Sequence, residues 1–303
     1  MRKPRPLFVF AITGDSQVPR LNQSLRFLKP FTQNDIVVVA CRCRSVIHHD
    51  QVLRQTMSEN LDDHRASILL KTDLYRVIGS PSRPCCYLDS DVVAVDGGVD
   101  RIFHQRTGVV TFAADHVRLR RFSRYAVHCP CVRGDCDHLR EAIRQKFGVE
   151  VTDPDWQHWN GGVFLFDGES SDFLATWHAY TRAIFEDSYW KTRDQGTLIA
   201  TVWKHNMQMQ ALLNSEFNHI VDANRAIRAP NTMTGPPAAW EADTSYSLDH
   251  TPGLPRPCFL HFINGGIGTT GWKNWDDAVA RLSAGPCTAD KRVAKIGSSG
   301  SEV

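Results

Sequence analysis

The sequence predicts an α/β protein whose central sheet is mainly parallel. Short apolar runs of strand length alternate with segments of helical spacing through the first 115 residues, which is typical of successive β–α–β units. The chain has 303 residues, of which 42% are hydrophobic and 22% charged, close to ordinary globular values. A chain of this size and composition can bury a substantial core.

The elements of the first half follow from apolar runs and from the glycine and proline residues that end them. Strands are predicted at residues 7–13, 35–40 and 108–113, and a further apolar run at 85–95 is interrupted by Asp89-Ser90-Asp91. Helices are predicted at 18–31, 49–61 and 66–78. This order places helices between strands, as a parallel sheet requires.

Beyond Asp115 the chain becomes basic and irregular, and we expect an insertion over the sheet at about 115–150, with a helix at 139–147. The elements predicted after it are strands at 159–166 and 257–263, helices at 173–185 and 195–203, and a long loop at 229–257. Residues 287–303 lack apolar content, which predicts a disordered tail. We therefore expect a single domain over residues 1–286.

Composition also narrows the class of partner and the compartment. The 35 Lys and Arg nearly cancel the 33 Asp and Glu, so the net charge of +2 gives no global reason to expect nucleic acid. No apolar run approaches the ~18 residues of a transmembrane segment, although a local patch could still contact a membrane surface. Nine cysteines, an odd number with several in close pairs, favour reduced thiols and a cytoplasmic protein.

Asp89 and Asp91 lie one residue apart at the end of an apolar strand, where alternation points both carboxylates to the same side. Open α/β sheets bind ligands beyond the carboxyl ends of their strands. Two oxygen donors at that place suit Mg²⁺ or Mn²⁺ bridging to a phosphate. The alternative is a turn in which the aspartates cap backbone groups.

Four motifs occur in order along the chain: Tyr87-Leu88-Asp89-Ser90-Asp91-Val92, Asn160-Gly161-Gly162-Val163, Asp194-Gln195 and His261-Phe262. Their order and spacing resemble those of GT-A fold glycosyltransferases. They are most similar to glycosyltransferase family 8, which includes glycogenin and bacterial lipopolysaccharide galactosyltransferases. The resemblance covers nearly the whole chain and implies the GT-A fold, a Rossmann-like central sheet flanked by helices.

The resemblance implies that Asp89, Asp91 and His261 bind the divalent ion, with Asp89 also near the ribose of the donor. A histidine beside two carboxylates shifts the expected ion from Mg²⁺ toward Mn²⁺. Taken alone, His261 would also fit a hydrogen-bonded strand histidine near the core.

The same resemblance places Asn160, Gly161 and Gly162 around the donor sugar. It makes Asp194 a ligand of a sugar hydroxyl and Gln195 the residue that faces the anomeric carbon, so these two are the expected catalytic residues. A β-bulge at the glycines and a helix cap at Asp194 are the structural alternatives.

A glycine-rich loop after His261 offers backbone N–H groups for a diphosphate through Gly265 and Gly266, with a flexible lid as the alternative. The sequence departs here from the family pattern His-x-x-Gly-x-x-Lys-Pro-Trp, because a longer segment precedes Lys273, the candidate phosphate-binding lysine. Lys71, on the helix before the Asp-x-Asp strand, is the expected basic residue near the nucleotide. A solvated helix face explains Lys71 equally well.

The expected function is a metal-dependent, retaining transfer of a sugar from a nucleotide diphosphate, expected to be UDP, to a hydroxyl acceptor. A haloacid-dehalogenase-like phosphatase is the rival enzyme, since an apolar strand followed by Asp-x-Asp also describes its nucleophile loop. That motif normally lies on the first strand and has a glycine after the second aspartate, which this sequence lacks. A third hypothesis is a non-catalytic protein that binds nucleotide, or an interaction module stapled by zinc.

A separate cluster of soft ligands lies in the predicted insertion. Four of them occur within ten residues, namely Cys129, Cys131, Cys136 and His138. They could chelate a structural Zn²⁺ ion, although their spacing is tighter than in common zinc knuckles. Unligated thiols in a reducing compartment are the alternative.

Overall fold

The computed structural model describes residues 4–57, 60–131, 134–222, 257–263 and 267. The strands in this part of the chain are β1 (Leu7–Thr13), β2 (Asp35–Cys41), β3 (Val52–Gln55), β4 (Cys85–Leu88), β5 (Val92–Ala94), β6 (Val110–Ala114), β7 (Trp159–Phe166), β8 (His219–Asp222) and β9 (Phe259–Ile263). The helices are α1 (Val18–Leu28), α2 (Asp63–Thr72), α3 (Leu74–Val77), α4 (Leu119–Ala126), α5 (His138–Phe147), α6 (Ser171–Ala183) and α7 (Arg193–Lys204).

The strands form two sheets. The larger has six strands in the order β3-β2-β1-β4-β7-β6, in which the first four strands are parallel to one another. β7 runs antiparallel to both of its neighbours, β4 and β6. The smaller sheet has the order β5-β9-β8. The predicted α/β architecture with a mainly parallel central sheet is therefore confirmed.

Alternation along β1 divides the core into two clusters, one on each face of the large sheet. Leu7, Val9 and Ala11 belong to the cluster that also contains buried residues of α2, α6 and α7. The intervening residues of β1 belong to the cluster shared with α1 and the small sheet. Since successive side chains of a strand point to opposite faces, a run that is apolar at every position requires cover on both faces.

Stacked aromatic rings fill the first of these clusters. Phe112 on β6 lies 4.6 Å from Phe164 and 5.3 Å from Trp159, measured between ring centroids, and it meets Trp177 of α6 edge-on at 5.7 Å. All four rings are almost fully buried. This stack joins β6 and β7 to α6, which packs in turn against the helix α7.

The structure corrects three predictions of secondary structure. The helix predicted at 49–61 is wrong, because residues 52–55 form β3, a short edge strand parallel to β2. The residues of β3 are half-buried or exposed, as expected for a strand at the edge of a sheet. Pairing with β2, rather than the pattern of apolar and polar residues, decides their conformation. The helix predicted at 66–78 is divided into α2 and α3 at Asp73.

The third correction concerns the basic segment after Asp115, which is helical where we expected irregular chain. Leu119, Phe122 and Ala126 are buried at helical spacing in α4, and the arginines between them lie on the other side. The helices α4 and α5 both contact α7, and their buried residues belong to the same core cluster as the sheet. The part of the chain expected as an insertion thus packs directly against the main core.

Two further predictions lie partly or wholly outside the described residues. The loop at 229–257 and the tail at 287–303 fall almost entirely there, so the division into one domain and a tail stays a prediction. No helix among the described residues is long and apolar enough to cross a membrane. The cytoplasmic location also stays a prediction.

We expect Phe112→Ala to lower the free energy of unfolding by about 3–5 kcal/mol, because it leaves a cavity in the aromatic stack. Val46→Ala is the control, since Val46 is 73% exposed and its truncation should change stability by less than about 0.5 kcal/mol. Urea unfolding followed by circular dichroism measures both. Equal effects of the two substitutions would contradict the assignment of Phe112 to the core.

Candidate functional site

The Asp-x-Asp motif lies where the chain passes from the large sheet to the small one. β4 ends at Leu88 and β5 begins at Val92, so Asp89 and Asp91 occupy the crossing. Backbone hydrogen bonds fix both ends of this crossing, from Asp89 N to Gly162 O at 2.8 Å and from Phe262 N to Asp91 O at 3.0 Å. The motif is therefore held by β7 on one side and by β9 on the other.

The small sheet brings His261 to the same point, because His261 is the register partner of Val92. Its Nε2 lies 3.4 Å from Asp91 Oδ1 and 4.0 Å from Asp89 Oδ2. One ligand atom of each of the three residues lies within 4.8 Å of the other two. Asp91 Oδ1 is buried and has no hydrogen bond of normal geometry to the described residues. Two carboxylates and an imidazole in this arrangement could hold a divalent cation.

The protonation of His261 and Asp91 is linked by their contact. Burial lowers the pKa of His261, but the hydrogen bond and negative charge of Asp91, with a further contribution from Asp89, outweigh burial and raise it. Burial likewise raises the pKa of Asp91, and His261 lowers it. The pair therefore favours a proton on the imidazole, and a divalent cation would take the place of that proton.

Asn218, which the sequence did not single out, orients the ring of His261. His261 Nδ1 lies 3.0 Å from Asn218 Oδ1, and the Asn218 amide donates to Asn160 Oδ1 at 3.3 Å. Because Asn160 Oδ1 also accepts from Gly162 N at 2.9 Å, Asn218 must present its Nδ2 to Asn160 and its Oδ1 to the histidine. His261 Nδ1 is then the donor, and Nε2 faces the aspartates.

Lys71, near the end of α2, is buried between two carboxylates. Its Nζ lies 3.2 Å from both Asp89 Oδ2 and Asp194 Oδ2. Burial lowers the pKa of Lys71, but the charges of Asp89 and Asp194 outweigh burial and raise it. Tyr87 donates to the other oxygen of Asp89 at 2.5 Å. Burial and the charge of Asp89 raise the pKa of this phenol well above its usual range, so the phenol keeps its proton and remains a donor. Lys71 therefore links the Asp-x-Asp motif to the start of α7.

Gln195 is fixed by hydrogen bonds at both ends of its amide. Its Oε1 accepts from Gly161 N at 2.7 Å, and its Nε2 donates to Trp159 O at 3.2 Å and to Asp115 Oδ2 at 3.3 Å. The first turn of α7 is thereby attached to the bend in β7. Asp194 and Gln195 are both held by the surrounding protein, Asp194 through Lys71 and Gln195 through Gly161.

Close packing explains the two glycines of β7. A Cβ atom at Gly161 would lie 2.8 Å from Gln195 Oε1 and 3.4 Å from Lys71 Nζ. A Cβ atom at Gly162 would overlap the ring of His261. The register of β7 against β6 also shifts between Phe112 and Ala113, opposite these glycines. The strand pairing is therefore irregular at this segment, and side chains from α2, α7 and β9 pack closely against its glycines.

Asp115 is a second residue that sequence analysis missed. It is buried and accepts hydrogen bonds from Asn160 Nδ2 at 3.0 Å and from Val117 N at 3.2 Å, besides that from Gln195. Burial opposes its charge, but His158 and His116, followed by hydrogen bonds, hold its pKa well below the usual range. Because burial also lowers the pKa of His158, we attribute much of this effect to the hydrogen bonds. Its position directly after the apolar run of β6 is the feature of the sequence that could have identified Asp115.

The remaining predicted residues divide into two groups. Gly265, Gly266 and Lys273 lie outside the described residues. The four soft ligands of the predicted zinc site come together, with their ligand atoms within 4.8 Å of one another. Burial raises the pKa of Cys136, but hydrogen bonds from Ser123 and His138 lower it to about 7.

Comparison with solved structures finds glycosyltransferases. The apo structure of the bifunctional glycosyltransferase WbbM has a TM-score of 0.59 at 14% identity, covering 94% of this chain and 50% of that protein, so the chain spans half its length. The galactosyltransferase LgtC, in complex with donor and acceptor sugar analogues, has a TM-score of 0.52 at 11% identity, covering 92% of this chain and 96% of LgtC. An active-site mutant of LgtC has a TM-score of 0.50 at 11% identity, covering 91% and 95%.

The chain has the GT-A fold. No protein-family profile and no curated protein sequence matches it. Identities of 11–14% establish the architecture alone, so the reaction has to be argued from the chemistry of the site.

We expect Gly162→Ala to lower the free energy of unfolding by about 1–3 kcal/mol, because the added methyl group displaces the buried ring of His261. Gly97→Ala is the matched control, since its Cβ would meet only Phe31 at 4.0 Å. The control should leave stability unchanged or slightly raised, because alanine restricts the unfolded chain. Denaturant unfolding measures the change in stability of both variants. An unchanged free energy of unfolding for Gly162→Ala would show that the site accommodates a methyl group beside His261.

Proposed function

We propose that the protein is a metal-dependent, retaining glycosyltransferase that moves a sugar from a nucleotide diphosphate, a UDP-sugar, to a hydroxyl acceptor. The observation that carries this proposal is the convergence of Asp89, Asp91 and His261 at the end of β4 in a chain with the GT-A fold. Ligands of open α/β sheets bind at this end of the strands.

The donor set supports a divalent metal ion, with Mn²⁺ preferred over Mg²⁺. Asp89 and Asp91 supply hard oxygen atoms, and His261 adds a nitrogen ligand that suits Mn²⁺ better than Mg²⁺. Asp91 Oδ1 is buried and meets His261 Nε2 at 3.4 Å without a hydrogen bond of normal geometry, which supports an ion as a further partner. When bound, the ion would supply positive charge to the diphosphate oxygens as the sugar departs.

The surrounding residues would hold the donor sugar. Asp194 keeps 17% of its side-chain surface exposed although Lys71 holds one of its oxygens, so it remains accessible to a sugar hydroxyl. Lys71 would keep Asp89 and Asp194 in place and add positive charge near the nucleotide. Gly161 and Gly162 would act on the donor indirectly, because the space beside them is taken by Gln195, Lys71 and His261, the side chains expected to face it. The expected diphosphate contacts of Gly265, Gly266 and Lys273 are part of the same proposal.

Retention is supported by the lack of a free base among the described residues of the site. Inversion requires a carboxylate or similar group that takes the acceptor proton. Gln195 cannot accept a proton at neutral pH, and both ends of its amide are already bonded. Asp194 is paired with Lys71, and Asp115 is buried among hydrogen-bond donors. The departing diphosphate would then take the acceptor proton on the same face of the sugar.

The fold and the position of the motif argue against the phosphatase hypothesis. Asp89 follows the fourth strand of the chain, whereas the phosphatase nucleophile loop follows the first. Its carboxylate is also engaged by Tyr87 and Lys71, which restrains it as a nucleophile. Release of phosphate from a generic phosphoester without a nucleotide sugar would favour the phosphatase. Binding of nucleotide without turnover would favour a non-catalytic protein.

We expect Asp91→Asn to weaken Mn²⁺-dependent binding of UDP by about 100-fold or more, because it removes a charged ligand from the ion; loss of a supporting outer residue alone costs about 10–100-fold. Asp50→Asn makes the same chemical change at an exposed position before β3 and should bind normally. Isothermal titration calorimetry with and without Mn²⁺ measures the affinity, and circular dichroism checks the fold. Unchanged Mn²⁺-dependent affinity in folded Asp91→Asn would refute the metal site.

We expect an α-linked nucleotide sugar to give an α-linked product. The reason is that Gln195 and Asp194 are engaged by the protein itself, so neither is a free base among the described residues of the site. Proton NMR of the new anomeric centre during early turnover measures the configuration of the linkage. A β-linked product would overturn the retaining mechanism and the role given to Gln195, while leaving glycosyl transfer itself intact.

A further inference from the structure

A second set of metal-ligating side chains lies away from the Asp-x-Asp motif, between α4 and α5. We call it the thiol–imidazole cluster, and its members are Cys129, Cys131, Cys136 and His138. Cys129 Sγ lies 3.9 Å from Cys136 Sγ, and Cys131 Sγ lies 3.8 Å from His138 Nδ1. A tetrahedral ion with zinc–sulfur bonds of about 2.3 Å holds its sulfur ligands about 3.8 Å apart. The separation of the Cys129 and Cys136 sulfurs is close to this edge, and the four ligand atoms all lie within 4.8 Å of one another.

The fold fixes the ligands from both sides. Before the cluster, His128 N donates to Tyr189 O at 2.8 Å, which ties the end of α4 to the chain before α7. Within it, Cys136 N donates to Arg120 O at 3.1 Å, which ties the cluster back to α4. Two of the ligands are therefore positioned by backbone contacts made elsewhere in the protein.

Ser123 adds a polar contact behind the cluster. Its hydroxyl oxygen accepts from Leu139 N at 2.9 Å and lies 3.2 Å from Cys136 Sγ. In this structure the Cys136 thiol donates to the hydroxyl. Once the thiol loses its proton the hydroxyl would donate to the sulfur instead, as expected for a residue that supports a metal-bound thiolate from outside the ligand shell. Ser123 is almost fully buried, so this contact is protected from water.

Two ion pairs hold the loop that carries Cys136. Arg120 of α4 lies 3.7 Å from Asp137, and Arg121 lies 3.9 Å from Asp135, the residues on either side of Cys136. These contacts position Cys136 relative to α4.

We propose that the thiol–imidazole cluster binds one structural Zn²⁺ ion. Four protein ligands close a tetrahedral site and leave no position for water or substrate, so the ion would stabilise the fold and take no part in transfer. The ion would link the end of α4 to the start of α5, and both helices pack against α7. A disulfide between Cys129 and Cys136 is the competing state, but it would require the sulfurs to close to about 2.05 Å and would leave the other two ligands unused.

The test measures zinc in protein expressed without a polyhistidine tag and purified under reducing conditions. Inductively coupled plasma mass spectrometry should find one zinc ion per chain in the unaltered protein, and Cys131→Ser should reduce it to a trace. Cys43→Ser, which changes a buried free cysteine outside the cluster, should retain the ion. Asp91→Asn should also retain it, because zinc held at the Asp-x-Asp motif would be lost in that variant.

Replacement of zinc by Co²⁺ gives a second readout, and its main signal comes from the unaltered protein and so does not depend on the stability of a variant. The cobalt protein should show thiolate charge-transfer absorption and the visible bands of tetrahedral Co²⁺, and His138→Ala should alter both. Reduced protein without stoichiometric zinc, a Cys129–Cys136 disulfide in peptide mapping, or zinc lost only in Asp91→Asn would overturn the proposal. The first two outcomes leave the proposed glycosyl transfer untouched, whereas the third would mean that the Asp-x-Asp motif itself holds zinc.

Discussion

The candidate site depends on the concentration of negative charge where β4, β9 and the start of α7 meet. Asp89 and Asp194 each lie 3.2 Å from Lys71 Nζ, so their nearest oxygens are no more than about 6 Å apart. Two like charges at that distance repel by about 3 kcal/mol at an effective dielectric constant of about 20. Lys71 offsets this repulsion from inside the protein. Asp91 is offset in the same way by His261, and a divalent cation would offset it more completely.

The positive groups can do this only because β7 leaves space for them. Lys71 Nζ and Gln195 occupy the volume beside Gly161, and His261 occupies the volume beside Gly162. The network from Asp115 through Asn160 and Asn218 then fixes the orientation of His261. Electrostatics and packing are therefore parts of one arrangement, in which a methyl group added at Gly162 would displace the ring of His261.

Local sequence was sufficient where a residue's role depends on its own strand. The apolar run of β1 and the Asp-x-Asp at the end of β4 were predicted because alternation and strand ends are visible within a few residues. β3 was mispredicted because its conformation is decided by pairing with β2. α4 was mispredicted because its arginines obscure the helical spacing of its buried residues.

Roles that depend on distant partners could not be predicted from local pattern. Asn218 acts on His261, 43 residues away, and Asp115 bonds to Gln195, 80 residues away. Neither lies in a motif that identifies it, and their polar character is equally typical of surface loops. Lys71 was singled out by its place before the Asp-x-Asp strand, but its position between two carboxylates follows only from the packing of α2 against β1 and α7.

We propose that this concentration of charge binds a nucleotide sugar through a metal ion. The most direct measurement is thermal unfolding of the unaltered protein with a panel of nucleotide sugars, each with and without Mn²⁺, because a ligand that binds only the native state raises its apparent stability. We expect one or a few nucleotide diphosphate sugars to raise the midpoint temperature of unfolding. The rise should occur only with Mn²⁺ and should increase with ligand concentration. No Mn²⁺-dependent rise with any nucleotide sugar would contradict it.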